Sequence, residues 1–134
     1  MSDETLTEKL ARHHVALRLD RIPAAAVAAA KLHILDSLGC LLAGSRLEPG
    51  TLAYELAVAA SGSNAESTLL GTHRRASYCE AVQAMSAAVH CGEMDDIHGG
   101  AGTCVGGMVV PALLAMAEKY DATGGQLLVA AITG

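Results

Sequence analysis

The sequence has few aromatic residues: among 134 residues there is no Phe, no Trp and only three Tyr. Its apolar content, 51% of the chain, comes mainly from Ala, Leu and Val. A core without large rings buries little area per side chain, so we expect closely packed helices and a partner surface that adds stability. Because alanine is the best helix former, the composition predicts an all-α fold, a helical bundle in one domain over residues 1–134.

An excess of positive charge is also absent. The chain has 9 Lys and Arg against 14 Asp and Glu, a net charge of −5, and no basic stripe, which excludes nucleic acid as an expected partner. The N-terminus opens with acidic residues instead of a basic signal region, and no apolar run is expected to reach the length of a membrane span. We therefore expect a cytoplasmic protein that does not enter a membrane.

The cysteines form no CxxC pair and no small disulfide framework, so free thiols are expected. Cys40 lies in an apolar run and is predicted to be buried. None of the recognised zinc or calcium spacings is present, and the predicted site therefore includes no metal. A helical metal-binding module remains an alternative, because several potential ligands cluster late in the chain.

Apolar residues at helical spacing predict a bundle of helices joined by short turns. Pro23 is expected in the first turn of a second helix that ends at Gly44, and Glu48–Gly50 is expected to be a turn. The other predicted helices cover 5–19, a stretch through Leu52 and Val58, 77–90, 105–120 and 125–133, the last with Thr123 as its N-cap. Ser67–Gly71 is predicted to be one short extended segment.

Chemistry-bearing side chains are densest over residues 90–107, where glycines alternate with polar groups. The stretch contains three carboxylates, two imidazoles and two thiols: Glu93, Asp95, Asp96, His90, His98, Cys91 and Cys104. Neighbouring carboxylates and imidazoles hold a base and an acid together at neutral pH, which suits proton abstraction next to a carboxylate. The alternative is a solvated turn followed by a glycine-rich loop. His13, His14 and His33 lie on predicted helices without nearby acids and are expected to be ordinary surface or core residues.

Four blocks in order resemble the MmgE/PrpD family, which includes 2-methylcitrate dehydratase, cis-aconitate decarboxylase and iminodisuccinate epimerase. Ile22-Pro23 and the run His33–Gly44 resemble the first signature of the family. The later blocks are Ser67–Gly71 with Ala76–His90, then Glu93–Asp96, which is similar to the family's Asp-Phe-Asp-Asp motif, then Pro111–Glu118 with Gly124–Leu128 and Gly134. The resemblance covers nearly the whole chain.

The resemblance implies that this chain is the N-terminal part of a longer enzyme. Family members have a large helical domain and a smaller α+β lid, with the active site between them. We therefore expect a complementary C-terminal segment or subunit, in a homo- or hetero-oligomer. The last predicted helix is still apolar at Gly134, so we expect either a truncation or a natural split subunit.

The activity implied by the resemblance is that of a cofactor-independent lyase, of dehydratase or decarboxylase type, acting on a small carboxylate substrate. An isomerase or epimerase of the same family, and a non-catalytic helical assembly subunit that completes a partner, are the alternatives. The expected catalytic residues are Glu93, Asp95, Asp96, His98 and Cys104, and the expected substrate-binding residues are His90, Thr103, Gly106 and Gly107.

The expected roles follow the family's pattern position by position. Glu93 falls on the family's first motif aspartate, and either it or Asp96 is expected to act as the general base or to orient one. His98 is the expected proton donor. The family's threonine falls on Ile97, and its next histidine falls at Thr103 or Cys104, so the Cys104 thiol is expected to replace that histidine as acid or base. Backbone amides over residues 99–107 are expected to bind a carboxylate of the substrate.

Overall fold

In the computed structural model, which describes residues 4–134, helices follow one another along the chain with a single two-stranded ribbon between them. The all-α prediction is confirmed. The elements are α1 Leu6–Ala16, a 3₁₀ turn Leu19–Arg21, α2 Ala24–Gly44, α3 Glu48–Ser61, β1 Ser67–Thr68, β2 Arg75–Ala76, α4 Tyr78–His90, α5 Val105–Lys119 and α6 Gly124–Thr133.

Side-chain caps set the starts of several helices. The Thr123 hydroxyl accepts from the backbone amide of Gln126, and the Gln126 side chain accepts from the amide of Thr123 in return, a reciprocal capping box at the start of α6. Ser77 caps α4 in the simpler way, by accepting from the amide of Glu80. These starts agree with the sequence-based prediction.

The predicted turn at Glu48–Gly50 is wrong, because α3 begins at Glu48 and includes these residues. Pro49 occupies the first turn of the helix, where its missing N–H would have no intrahelical partner and its fixed φ suits a helix. Gly50 is buried, and a Cβ there would overlap the carbonyl group of Gly44. Residues 48–50, whose sequence resembles a turn, therefore form the start of α3, and α3 passes close to the end of α2.

The ribbon is tied to α5 by charged side chains. Its strands pair antiparallel, Ser67 with Ala76 and Thr68 with Arg75. Glu118 of α5 accepts from the amide of Thr68 at 2.6 Å, from its hydroxyl at 2.8 Å, and from the Arg75 guanidinium. The extended segment predicted over Ser67–Gly71 is shorter in the structure, where only Ser67–Thr68 is a strand and Leu70 and Gly71 lie in a turn. Its partner strand is an element that the sequence did not predict.

Helix α4 lies at the centre of the bundle and packs against α2, α3 and α5. Its buried residues are small or flexible: Ala81, Ala84, Met85, Ala88 and Val89. A Cβ at Gly44 would overlap the Ala88 carbonyl, so the end of α2 approaches the α4 backbone in a way that only glycine permits. Close helix contact therefore takes the place of aromatic bulk in this core.

Tyr54 is the one aromatic side chain in the buried core of residues 4–134, with 1% of its surface exposed. Its hydroxyl donates to the carbonyl of Leu70 at 2.9 Å, and burial raises its pKa to about 12. Cys40 is buried in the same core, as predicted.

Helix α2 differs from the expectation that no apolar segment has the length of a membrane span. Among residues 4–134 it is the helix that is long and apolar enough, with 21 residues and a mean hydropathy of 1.5 over its most apolar window. Length and composition alone are weak evidence for a membrane span, since core helices meet the same criteria. Only 22% of the window is buried, and Leu32 and Leu35 are each about two-thirds exposed. This helix therefore presents an uncovered apolar face.

Candidate functional site

The loop between α4 and α5 is folded back on itself. The amide of His98 donates to the carbonyl of Thr103 at 2.8 Å, which makes an isolated antiparallel bridge. The amides of Ala101 and Gly102 both donate to the carbonyl of His98. The chain thereby makes a tight turn before α5 begins, and the two acidic residues that precede the turn lie against the first turn of α5.

Asp96 binds the N-terminal turn of α5 directly. Its Oδ1 accepts from the backbone amide of Gly106 at 2.8 Å. A Cβ at Gly106 would overlap this carboxylate oxygen and the hydroxyl of Ser37, so the absence of a side chain creates the space that the carboxylate occupies. The positive end of the helix dipole and the free amide both favour a carboxylate at this position.

Asp95 lies on the other side of the same helix end. Its Oδ2 would be 3.0 Å from a Cβ at Gly107, next to Val89 of α4. The Asp95 side chain is only 2% exposed, and both of its oxygens lie 3.1 Å from Nδ1 of His90, the last residue of α4. Two consecutive acidic residues therefore straddle α5, each against one of two consecutive glycines.

Most of the candidate side chains thus fall into two groups. The α4-facing group consists of His90, Asp95 and Cys104, whose ligand-capable atoms all lie within 4.8 Å of one another. The α2-facing group consists of His33, Asp96 and His98, which line one cleft.

His33 is a site residue that the sequence did not reveal. Its Nδ1 lies 4.0 Å from Oδ2 of Asp96, the carboxylate oxygen that Gly106 does not bind. The expectation that His33 has no nearby acid is therefore wrong, because its acidic neighbour comes from a loop about sixty positions later in the chain. No local spacing signals such a contact.

The cleft of the α2-facing group has a volume of about 300 Å³ and lies between α2, the loop, α5 and α6. Its polar side chains are those of the α2-facing group itself. The remaining wall is apolar or backbone: Ala30, Ile34, Ile97, Val105, Gly106, Val109, Val110 and Ala131. An apolar cleft with a few convergent polar groups is the usual form of a small-molecule site.

The ring of His98 has a defined tautomer. Its Nδ1 accepts from the amide of Ala101 at 3.0 Å, so in the neutral ring the proton is on Nε2. His98 therefore presents an N–H donor, which suits the expected role of this residue.

Cys104, the N-cap residue of α5, is next to Asp95. Burial and the nearby negative charge of Asp95 raise the pKa of its thiol. A raised pKa keeps the thiol protonated at neutral pH, where a free thiol is a weak base.

The other predicted site residues are placed differently. Glu93 is exposed, has a left-handed backbone with φ of 48°, and does not line the cleft. The Thr103 hydroxyl lies 3.9 Å from the sulfur of Met108. The Gly106 amide is expected to bind substrate, but it already donates to the Asp96 carboxylate. A substrate carboxylate would therefore compete with the Asp96 carboxylate for this amide.

A wider cleft of about 850 Å³ lies between the 3₁₀ turn and α6, lined by residues including Leu17, Arg18, Gln126 and Val129. It contains none of the predicted site residues. Convergent acids and imidazoles are the stronger sign of chemistry, so we take the smaller cleft as the candidate site.

Together, the fold and the site define a helical domain in which a polar loop holds acids and imidazoles around the N-terminus of one helix. The chain belongs to the MmgE/PrpD family: the family's sequence model, described as the MmgE/PrpD N-terminal domain, matches residues 8–134. The predicted family membership is thereby confirmed. No curated protein and no solved structure matches the chain.

Proposed function

We propose that this chain supplies the N-terminal part of a lyase that removes a proton next to a carboxylate of a small substrate, without a cofactor. The observation that carries the proposal is the α2-facing group, in which Asp96, His33 and His98 converge on one cleft. Family membership supports the reaction class.

In this proposal Asp96 is the proton acceptor and His98 the donor. Gly106 holds one oxygen of Asp96 in place, and the other oxygen faces His33 across 4.0 Å. His98 offers Nε2–H to the group that leaves or is protonated. Glu93, Asp95, Cys104 and the substrate contacts of His90, Thr103 and Gly107 remain predictions for the same reaction.

The cleft is electrostatically incomplete for a carboxylate substrate. No Lys or Arg lines it within the described residues 4–134. A bound carboxylate needs a cationic or multiple N–H partner, and we propose that a complementary segment or subunit supplies it. The exposed apolar face of α2, with Leu32 and Leu35, supports such a partner surface.

The test is solvent-deuterium incorporation into a panel of small di- and tricarboxylates, followed by NMR, with the chain and its complementary part combined. Asp96→Asn keeps an oxygen for the Gly106 amide but loses the base, and should lower the exchange rate by at least about 100-fold. Glu55→Gln, which removes an exposed carboxylate on α3, is the matched control and should keep the wild-type rate. An unchanged rate in Asp96→Asn would refute the assignment.

Isomerisation or epimerisation uses the same proton removal and differs in where the proton returns. The panel separates these outcomes, because a lyase forms an unsaturated or decarboxylated product while an epimerase returns a labelled substrate. A non-catalytic assembly subunit would form the complex and give no exchange with any substrate.

A further inference from the structure

Three side chains of different ligand chemistry meet in the α4-facing group. His90 ends α4, Asp95 lies in the loop, and Cys104 is the N-cap residue of α5. One ligand atom from each lies within 4.8 Å of the other two. We propose that this group binds a divalent transition-metal ion, with Zn²⁺ the best fit, and that the ion cross-links the two helices and the loop.

The donor set selects the class of metal. Zn²⁺ accepts imidazole nitrogen, carboxylate oxygen and thiolate sulfur together, whereas Mg²⁺ and Ca²⁺ require oxygen ligands. Three protein ligands leave a fourth tetrahedral position for water. The group therefore favours a borderline-soft cation over a hard one.

The distances require only a small contraction. With metal–ligand bonds of about 2.0–2.3 Å, ligand atoms around tetrahedral Zn²⁺ lie about 3.4–3.7 Å apart. His90 and Asp95 are already closer than this, at 3.1 Å, and the widest separation in the group must shrink by about 1 Å. The His90 side chain is 63% exposed, so it has room to turn toward an ion.

The charge of the group also favours a cation. The Asp95 side chain is almost completely buried, and no Lys or Arg among residues 4–134 forms an ion pair with it. A buried carboxylate is costly unless it is paired and hydrogen-bonded. The exposed imidazole of His90 is its only ion-pair partner in this part of the chain.

A nucleophilic thiol is a poorer explanation of the same residues. Thiol activation requires a base in contact with the sulfur, with a third group that orients the base. Here the imidazole of His90 is hydrogen-bonded to the carboxylate of Asp95, and the Cys104 sulfur lies within 4.8 Å of a ligand atom of each. A metal ion that takes the place of the protons between these groups would be coordinated by all three side chains.

The metal assignment is tested separately from the lyase assignment, because the metal is measured without substrate. Zn²⁺ binding would make His90, Asp95 and Cys104 ligands of the ion in place of the reaction roles predicted for them. The tag-free full chain is titrated with Zn²⁺ by calorimetry, and with Co²⁺ while the absorption spectrum is recorded. We expect one equivalent of Zn²⁺ to bind, and we expect Co²⁺ to give a thiolate-to-cobalt charge-transfer band. Cys104→Ser should abolish that band, and Cys104→Ser and His90→Gln should each weaken Zn²⁺ binding by at least about 10-fold.

Cys79→Ser and His73→Gln are matched controls, because each removes an exposed residue of the same type outside the group. Both should bind Zn²⁺ as the wild type does. The absence of saturable Zn²⁺ binding to the wild-type chain would overturn the proposal, as would a Co²⁺ complex without the charge-transfer band. The wild-type spectrum keeps the test decisive even if a variant fails to fold.

Discussion

The carboxylate of Asp96 accepts a hydrogen bond from the backbone amide of Gly106 at 2.8 Å, and this bond joins the candidate site to the start of α5. The bond is possible because position 106 has no side chain. The same glycine therefore determines both the packing of the helix end and the position of the proposed base.

Gly106→Ala should destabilise the protein and displace Asp96. The added Cβ would overlap the Asp96 carboxylate and the buried Ser37 hydroxyl, and overpacking of this kind costs about 1–3 kcal/mol. Urea unfolding of the purified chain measures the change. Gly99→Ala is the control, since a Cβ at Gly99 meets nothing within 4 Å, and it should unfold close to the wild-type midpoint.

Gly44→Ala and Gly39→Ala on α2 should act in opposite directions. A Cβ at Gly44 would overlap the Ala88 carbonyl of α4, so we expect a loss of about 3 kcal/mol or more. A Cβ at Gly39 meets nothing within 4 Å, and alanine there should stabilise the helix by about 0.5–1 kcal/mol. Thermal unfolding followed by circular dichroism compares them. Equal effects would contradict the close crossing of α2 and α4.

Ser37→Ala should leave the stability unchanged or raise it by up to about 1 kcal/mol. The Ser37 hydroxyl is buried without a hydrogen-bond partner among the described residues, and a buried polar group in that state costs free energy. Chemical denaturation measures the effect. A clear loss of stability would mean that this hydroxyl makes a hydrogen bond that the structure does not contain.

The stability should decrease as the pH falls below about 4.5, partly through Glu118. Burial alone would raise the pKa of Glu118, but hydrogen bonds from Thr68 and Arg75 outweigh it and lower the pKa from its ordinary value of 4.5. A carboxylate with a lowered pKa in the folded state stabilises the protein above its unfolded pKa, and the contribution disappears as the pH falls through the folded value.

The matched variants are Glu118→Gln and Glu55→Gln. At neutral pH Glu118→Gln should lose about 1–2 kcal/mol, because charged hydrogen bonds to the ribbon are removed. It should also show a shallower decline of stability in acid than the wild type. Glu55 is exposed and its replacement should change neither quantity. Denaturation midpoints between pH 3 and pH 7 give the comparison, and identical profiles for both variants would contradict the role of Glu118.

Much of the helical architecture follows from local sequence signals. The Thr123 cap, and apolar spacing along α2, predict helices that the structure contains. The start of α3 differs from the prediction because Glu48-Pro49-Gly50 favours a turn by composition, whereas Pro49 also suits the first turn of a helix. Gly50 then packs against Gly44 of α2, a contact that has no local sequence signal.

The dense segment over residues 90–107 is identifiable from the sequence alone, and it contains most of the polar groups that converge in the structure. The sequence does not predict that the site residues divide into one group on each side of α5, since this depends on which helix each side chain faces. His33 lies in the site because it is close to Asp96, and no local sequence pattern indicates this contact. The roles assigned to individual residues stay predictions until they are measured.

The bond between Gly106 and Asp96 also provides a spectroscopic reporter of the site. Glycine amides are readily distinguished in nitrogen–proton correlation spectra, and the Gly106 proton points at the proposed base itself. Its chemical shift will follow the charge on Asp96, and its exchange with solvent will report how often the loop leaves the helix end. A single resonance can therefore follow substrate or partner binding independently of turnover.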